Sequence, residues 1–313
     1  MLSNLFVAIG AVVPLFMLIS IGVFVKRSKL MTDAELVHTN RMVFRVFFFC
    51  MMFFNIYTTD LASTIRPNLM LFGAGGVLLT ALIAGLLVCK FEPSNPRRGA
   101  MIQAIFRSNF VLMGIPLVGN IFGDDQLATP TMMIAIIVPI YNIVAVFVLE
   151  TFRGGRFYLP GILLGVLKNP MILGALTAVI FLLLGIPVPK PVLKPIGQVA
   201  AATTPVALII LGASFKGGSF HAHLPQLVAC VAARLLIVPG ILLGIAIGLG
   251  FRGIELITLL AIFASPCAVA SFAMAQQMGS DADLAGNCVV YTSALACLTL
   301  FGWVFAFKTF GLF

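Results

Sequence analysis

Apolar runs of about 20 residues, separated by short polar breaks, fill the whole 313-residue chain, and each run is long enough for one membrane-crossing helix. Ten such runs are predicted: 4–26, 39–58, 69–90, 99–122, 129–151, 169–187, 197–215, 226–250, 255–278 and 287–309. They are continuously apolar and lack the two-residue alternation of barrel strands, so the expectation is an all-α polytopic membrane protein. Turn chemistry fills the gaps at Arg66-Pro67-Asn68, Glu92-Pro93-Ser94-Asn95-Pro96, Pro187 to Pro195 and Lys216-Gly217-Gly218. The stretch from Leu5 to Val25 is too long for a signal region, shows no small-residue cleavage motif and ends in Lys26-Arg27. It reads as the first span.

The polar breaks repeat. Ser108-Asn109, then Gly123-Asp124-Asp125 and Leu127-Ala128, recur as Ser265-Pro266, Gly279-Ser280-Asp281 and Leu284-Ala285, about 157 residues further on. Five spans per half is an odd number, so the second half must insert upside down relative to the first. The expected layout is a first five-helix repeat over 1–152, a short basic cytoplasmic linker over 153–168 and an inverted second repeat over 169–313. That leaves no room for a separate soluble domain.

Both interruptions fall near the middle of a span, at about Phe110 in the fourth and Pro266 in the ninth. Pro266 has no N–H and its ring crowds the preceding turn, so it breaks the helix. Asn109 is a weaker breaker that offers its side chain to local backbone groups. Pro116, Pro139, Pro205 and Pro239 read as simple kinks. Each second half-helix then starts at the midplane, and two sets of N–H groups with partial positive charge face one cavity from opposite sides. That arrangement suits a carboxylate. Ser108, Asn109, Ser265, Cys267 and Ser271 would add side-chain contacts, and Pro266 its exposed backbone. Paired interruptions in two halves point to the binding site of a secondary transporter.

Composition agrees with a membrane protein: 61% of residues are hydrophobic and only 9% charged. The net charge of +9 is scattered through loops, without a basic patch interleaved with aromatics, so no nucleic-acid partner is expected. With the N-terminus outside, cytoplasmic loops carry ten basic residues (Lys26, Arg27, Lys29, Lys90, Arg97, Arg98, Arg153, Arg156, Lys168 and Lys216). The outer side carries five: Arg66, Lys190, Lys194, Arg252 and Lys308. Both termini are therefore predicted to be extracytoplasmic, in the cell (inner) membrane. The six cysteines form no CxxC pair and read as small reduced residues, giving neither disulfides nor a metal site.

Four arginines fall inside spans. Arg41 and Arg45 lie near one end of the second, where Arg45, roughly 9 Å deep, can snorkel. Arg107 and Arg234 lie deeper, where a charge costs roughly 3 kcal/mol on insertion scales and needs water, a partner or a substrate. Arg107 precedes the break, so it either holds an anionic substrate or caps the first half-helix; Arg234 reads as structural, with substrate contact as the alternative. Carboxylates are almost absent from the spans: Glu150 and Glu255 lie at span ends, and Asp124, Asp125, Asp281 and Asp283 in loops. The histidines (His38, His221, His223) are peripheral, so the coupling ion, H+ or Na+, is left open. GxSxG, a metal-spaced histidine pair, a phosphate loop and a paired-carboxylate site are all missing, so neither an enzyme nor a cofactor is expected.

The run Ser108-Asn109-Phe110-Val111-Leu112-Met113-Gly114-Ile115-Pro116-Leu117 resembles the fourth helix of the auxin efflux carrier family, which includes plant auxin exporters and bacterial carriers of malate or malonate. Ala264-Ser265-Pro266-Cys267 followed by Ala275-Gln276-Gln277 resembles its ninth helix, and Asn40-Arg41 and Arg234-Leu235-Leu236 extend the resemblance over the chain. It implies ten helices in two inverted repeats, helices 4 and 9 crossing at the midplane, and a carboxylate held by Asn109 and the backbone around Pro266-Cys267. The short central loop matches bacterial members. Ser108 stands where plant members have proline, and no acid precedes Lys90 in span 3, which favours a small aliphatic dicarboxylate over auxin.

The expectation is an alternating-access carrier for a small organic anion, with spans 1, 2, 6 and 7 rocking against the rest and a homodimer as a possible assembly. Two alternatives stand beside it: a sodium-coupled symporter resembling bile-acid carriers, and a membrane-embedded ligand sensor.

Overall fold

Proline and small polar residues decide where the helices of this chain start. The computed structural model describes residues 2–58, 66–123, 126–153, 159–215 and 223–313, with side chains from residue 13 onward. Asp124, Asp125, Arg156, Lys216-Gly217-Gly218 and His221 lie outside the described residues. Helix α1 runs over Leu2–Arg27. Thr32 then caps α2 (Asp33–Met42) in a capping box with Glu35. A π turn at Val43–Phe47 joins α2 to α3 (Phe48–Tyr57). Pro67 opens α4 (Pro67–Phe91), where its missing N–H costs nothing.

The first interrupted span consists of α5 (Asn95–Phe106) and α6 (Phe110–Phe122), followed by α7 (Ala128–Arg153). Next come α8 (Leu159–Leu167), α9 (Pro170–Leu183) and α10 (Lys190–Ser214). α11 (Leu224–Ala232) passes through a second π turn, Ala233–Ile237, into α12 (Val238–Gly248). The second interrupted span is α13 (Gly253–Ala264) and α14 (Ala270–Gln277), and Asp281 caps α15 (Ala282–Thr309) by accepting from Leu284 N–H at 2.9 Å.

The described residues are all-helical, without a named strand. Six segments are each long and apolar enough to cross a membrane: Asp33–Tyr57, Pro67–Phe91, Ala128–Arg153, Lys190–Ser214, Leu224–Gly248 and Ala282–Thr309. The core centres on α13, which is buried from Leu256 to Ala264. Around it, α4 turns Leu71, Leu78, Leu82 and Leu86 outward and α12 turns out Ile241 and Ile245, the apolar surface a lipid-facing helix needs.

Polar contacts gather the helix ends into two faces. On one, Arg97 approaches Glu92 and Asp281 at 3.9 and 3.8 Å, His223 Nε2 lies 3.4 Å from Asp281, and Gln226 donates to Glu92 at 2.9 Å. This face also holds Arg153 and Lys168 and is called basic below. On the other, Arg66 pairs with Glu255 at 2.5 Å, Gly253 N–H donates to Leu312, and Tyr57 bridges to Ile186 and Val188.

Several boundaries differ from those read off the sequence. Part of the linker 153–168 is helical: α8 folds because Leu159–Leu167 is apolar, and it bends 63° from α9 where Asn169 and Pro170 start a new helix. The stretch Pro187–Pro195 is not one turn, since α10 begins at Lys190 and tolerates Pro191 in its first turn. The π turns are absent from the sequence reading. Pro239 follows just after the second one, in the first turn of α12. That residue has no N–H for the Leu235 carbonyl, which accepts instead from Trp303 Nε1 at 3.1 Å.

Candidate functional site

Two helix interruptions face each other at the centre of the molecule. Helix α5 stops at Phe106 and α6 resumes at Phe110; α13 stops at Ala264 and α14 resumes at Ala270. The extended residues between pair as a minimal antiparallel ladder centred on Ser108 and Cys267. Asn109 N–H donates to Pro266 O at 2.8 Å and Ala268 N–H to Arg107 O at 3.2 Å. An unpaired backbone group at this depth is costly, and each break supplies what the other lacks.

This corrects the role expected of Asn109 as a breaker. Its side chain caps nothing at the start of α6; the helix is interrupted because its backbone bonds go across the crossing. The expectation of two sets of free N–H groups also narrows. Asn109 and Ala268 N–H are taken by the crossing, and Ser271 and Phe272 N–H by Ala268 and Val269 carbonyls at the start of α14. The N–H groups of the first turn of α6 cannot be bonded within that helix, and Val111 and Leu112 from that turn line the cavity described next.

Flanking helices brace the crossing. Tyr141 on α7 donates to Ile262 O at 3.1 Å, which leaves Ser108 Oγ, 2.9 Å away, to donate to the phenol. Thr292 on α15 donates to Cys288 O at 2.6 Å and accepts from Cys267 N–H at 3.0 Å. Arg234, 1% exposed, caps both first halves at once: Nε donates to Ser265 O at 2.8 Å, Nη1 to Ile105 O and Phe106 O at 3.0 and 3.1 Å, and Nη2 to Ile262 O at 2.8 Å. One guanidinium thereby answers four helix-end carbonyls and the negative ends of two helix dipoles.

Beside the crossing lies a cavity of about 100 Å³ lined by Arg107, Ser108, Asn109, Tyr141, Asn142 and Ala268, with Asn55 on α3 and Thr204 on α10 opposite. Arg107 is 4% exposed; it donates to Asn142 Oδ1 and to Gln103 Oε1. Asn109 is 9% exposed and its Nδ2 has no hydrogen-bond partner. A buried amide donor left open is costly, and this one lines a cavity whose wall includes the Arg107 side chain.

The cavity adjoins a second pocket of about 570 Å³ through shared residues Met51, Asn55, Val111, Leu112 and Thr204. That pocket continues along Pro14, Phe54, Pro116 and Gly197, away from the basic face. Toward the basic face the way is crossed by Asn40, fully buried on α2, whose Nδ2 donates to Gln276 Oε1 at 2.6 Å and Ala273 O at 3.3 Å on α14.

Of the residues singled out from the sequence, Arg107, Ser108 and Asn109 line the cavity. Ser265, Pro266 and Cys267 build the crossing behind it through their backbones, and Ser271 is buried next to the Cys267 thiol. Arg234 is a cap and does not line the cavity. Sequence reasoning missed Asn55, Tyr141, Asn142 and Thr204; the available signal was polar groups embedded in otherwise apolar runs.

Comparison with known proteins places the chain among transporters. Residues 7–155 and 155–304 match the family described as membrane transport protein. The chain belongs to that family. The resemblance to auxin efflux carriers, which rested on the two interrupted runs and on Asn40-Arg41, holds at the level of the family. In this member of the membrane transport protein family, Asn40 and Gln276, which belong to two separate motifs, meet in a direct hydrogen bond. The chain is also 22% identical over 241 residues to an uncharacterized transporter of Methanocaldococcus jannaschii, covering 73% of this chain and 77% of that one.

Proposed function

We propose that this membrane transport protein is a secondary active carrier that moves a small carboxylate, of malate or malonate type, by alternating access. The observation that carries the reading is the open Asn109 Nδ2 donor beside Arg107 in the cavity at the crossing. A carboxylate there would accept from the Asn109 amide, meet the positive end of α6 and neutralise the field of Arg107. About 100 Å³ is room for about three waters, so only the anionic head of a small acid fits, with the adjoining pocket taking the rest.

The same reading has ten spans in two inverted repeats, 1–152 and 169–313, with the first to fifth spans answering the sixth to tenth and the cell membrane as location. The helices α1, α3, α9 and α10 form the scaffold against which the crossing moves, the substrate pocket here opening away from the basic face. The basic face is cytoplasmic by charge, which puts both termini outside.

The test is uptake of radiolabelled malate and malonate into liposomes under an imposed pH gradient, sodium gradient or potential, with Asn109→Ala alongside. A hydrogen bond to a charged group contributes about 1.5–3 kcal/mol, so the variant should raise KM about tenfold or more while folding normally. Uptake by Asn109→Ala with wild-type kinetics would remove the site assignment.

A further inference from the structure

A pocket of about 520 Å³ on the basic face is lined by Arg45, Arg153, Lys168 and a single acid, Glu150, with Phe44, Phe49 and Leu173 as its apolar wall. The cations outnumber the acid, and Glu150 is already engaged by Arg153 at 3.2 Å. Asn169 and Pro170, the capped N-terminus of the 14-residue α9, also line it, so the positive end of a helix dipole adds to the same field.

What lies next to the pocket narrows the ligand. Beyond Leu173, α9 presents Leu176 and Ile180 outward, residues 43%, 43% and 51% exposed in turn at positions i, i+3 and i+7. These form one apolar stripe running from the pocket into the lipid-facing surface. A soluble anion would use the charges and leave the stripe unused. An anionic lipid uses both, with its phosphate among the cations and an acyl chain along the stripe.

We propose that this pocket binds the phosphate of an anionic phospholipid from the leaflet on the basic face. It spans a seam: Arg45 and α9 belong to one set of helices, while Arg153 on α7 and Gln277 at the end of α14 belong to the set that carries the crossing. A bound headgroup bridges the two.

The experiment measures lipid retained by the purified full-length protein, with native mass spectrometry, after exchange into vesicles of phosphatidylcholine alone or mixed with phosphatidylglycerol. Arg45→Gln/Lys168→Gln is compared with a charge-matched control, Lys190→Gln/Lys194→Gln. The wild type and the control should retain phosphatidylglycerol, and the pocket variant should lose about tenfold or more of it. Melting in phosphatidylcholine alone checks folding; should the double variant not fold, Lys168→Gln by itself, an exposed position, is read in the same way. Equal retention by pocket variant and wild type would overturn the proposal. So would inorganic phosphate raising the melting temperature as much as phosphatidylglycerol, since that would make the site one for a soluble anion. Neither readout depends on transport.

Discussion

Arg234 shows how one side chain can substitute for missing secondary structure. Its four hydrogen bonds replace the turns that α5 and α13 would otherwise have continued into. Arg234→Leu strands the buried Ser265, Ile105 and Phe106 carbonyls, each costing about 1–3 kcal/mol, while Ile262 O keeps the Tyr141 hydroxyl, so the variant should fail to give a monodisperse, heat-stable preparation. Arg234→Lys keeps the charge but replaces the planar fork with a point charge, and its melting temperature should fall between wild type and Arg234→Leu. Asn109→Ala should leave melting nearly unchanged, because its Nδ2 donor has no partner in the chain. Glu92 gives a prediction in pH. Burial acts to raise its carboxyl, yet the Gln226 amide, the Ser94 N–H, Arg97 and Arg98 together hold it below the ordinary carboxylate value. A depressed carboxyl contributes stability above its unfolded pKa, about 4.3, and loses it as pH falls through the lower folded value. Melting curves of wild type and Glu92→Gln should therefore be separated at neutral pH and begin to draw together only as pH falls below about 4.3.

At the scale of elements, glycines set which helices stay together. A side chain at Gly22 on α1 would collide with the Ile209 carbonyl on α10, and one at Gly212 on α10 with the Ile19 carbonyl on α1. The close approach is therefore mutual, and Gly174 on α9 meets the Phe49 backbone on α3 in the same manner. Backbones this near pack by van der Waals contact, the force available between helices in lipid. Gly212→Val should sharply reduce folded protein in a size-exclusion assay. Gly85→Ala, with open space around it, should be neutral or raise melting slightly, because alanine favours helix over glycine by about 1 kcal/mol. The interruptions at 107–109 and 265–269 were legible beforehand because proline and polar residues are conspicuous in apolar runs. What they do was not legible, since Asn109 N–H finds its acceptor 157 residues away at Pro266. The helix α8 was hidden for the opposite reason: Arg153 and Lys168 bracket it, and charge read as linker outweighed nine apolar-rich residues.

For the whole molecule, the arrangement of openings is the functional statement. The cavity at the crossing continues into a pocket leading away from the basic face, while Asn40 ties α2 to α14 on the other side. In a background lacking the exposed Cys89, Ala201→Cys, which lines that pocket, should react with a membrane-impermeant thiol reagent added from the face opposite the basic one. Asn40→Ala removes two buried hydrogen bonds worth about 1 kcal/mol each, so it should shift the population toward the alternate opening and slow that labelling about fivefold or more. Unchanged labelling would show that Asn40 does not hold this state.

The antiparallel pairing of Ser108 with Cys267 also bears on how such a carrier diversifies. The crossing is held by main-chain N–H and carbonyl groups, which every residue except proline supplies alike. Side chains at 109 and 268–270 can be exchanged while the joint that carries them stays intact. The pairing thus separates inheritance of the scaffold from innovation in cargo: a descendant protein can acquire a new substrate through a few point changes around an unaltered hinge.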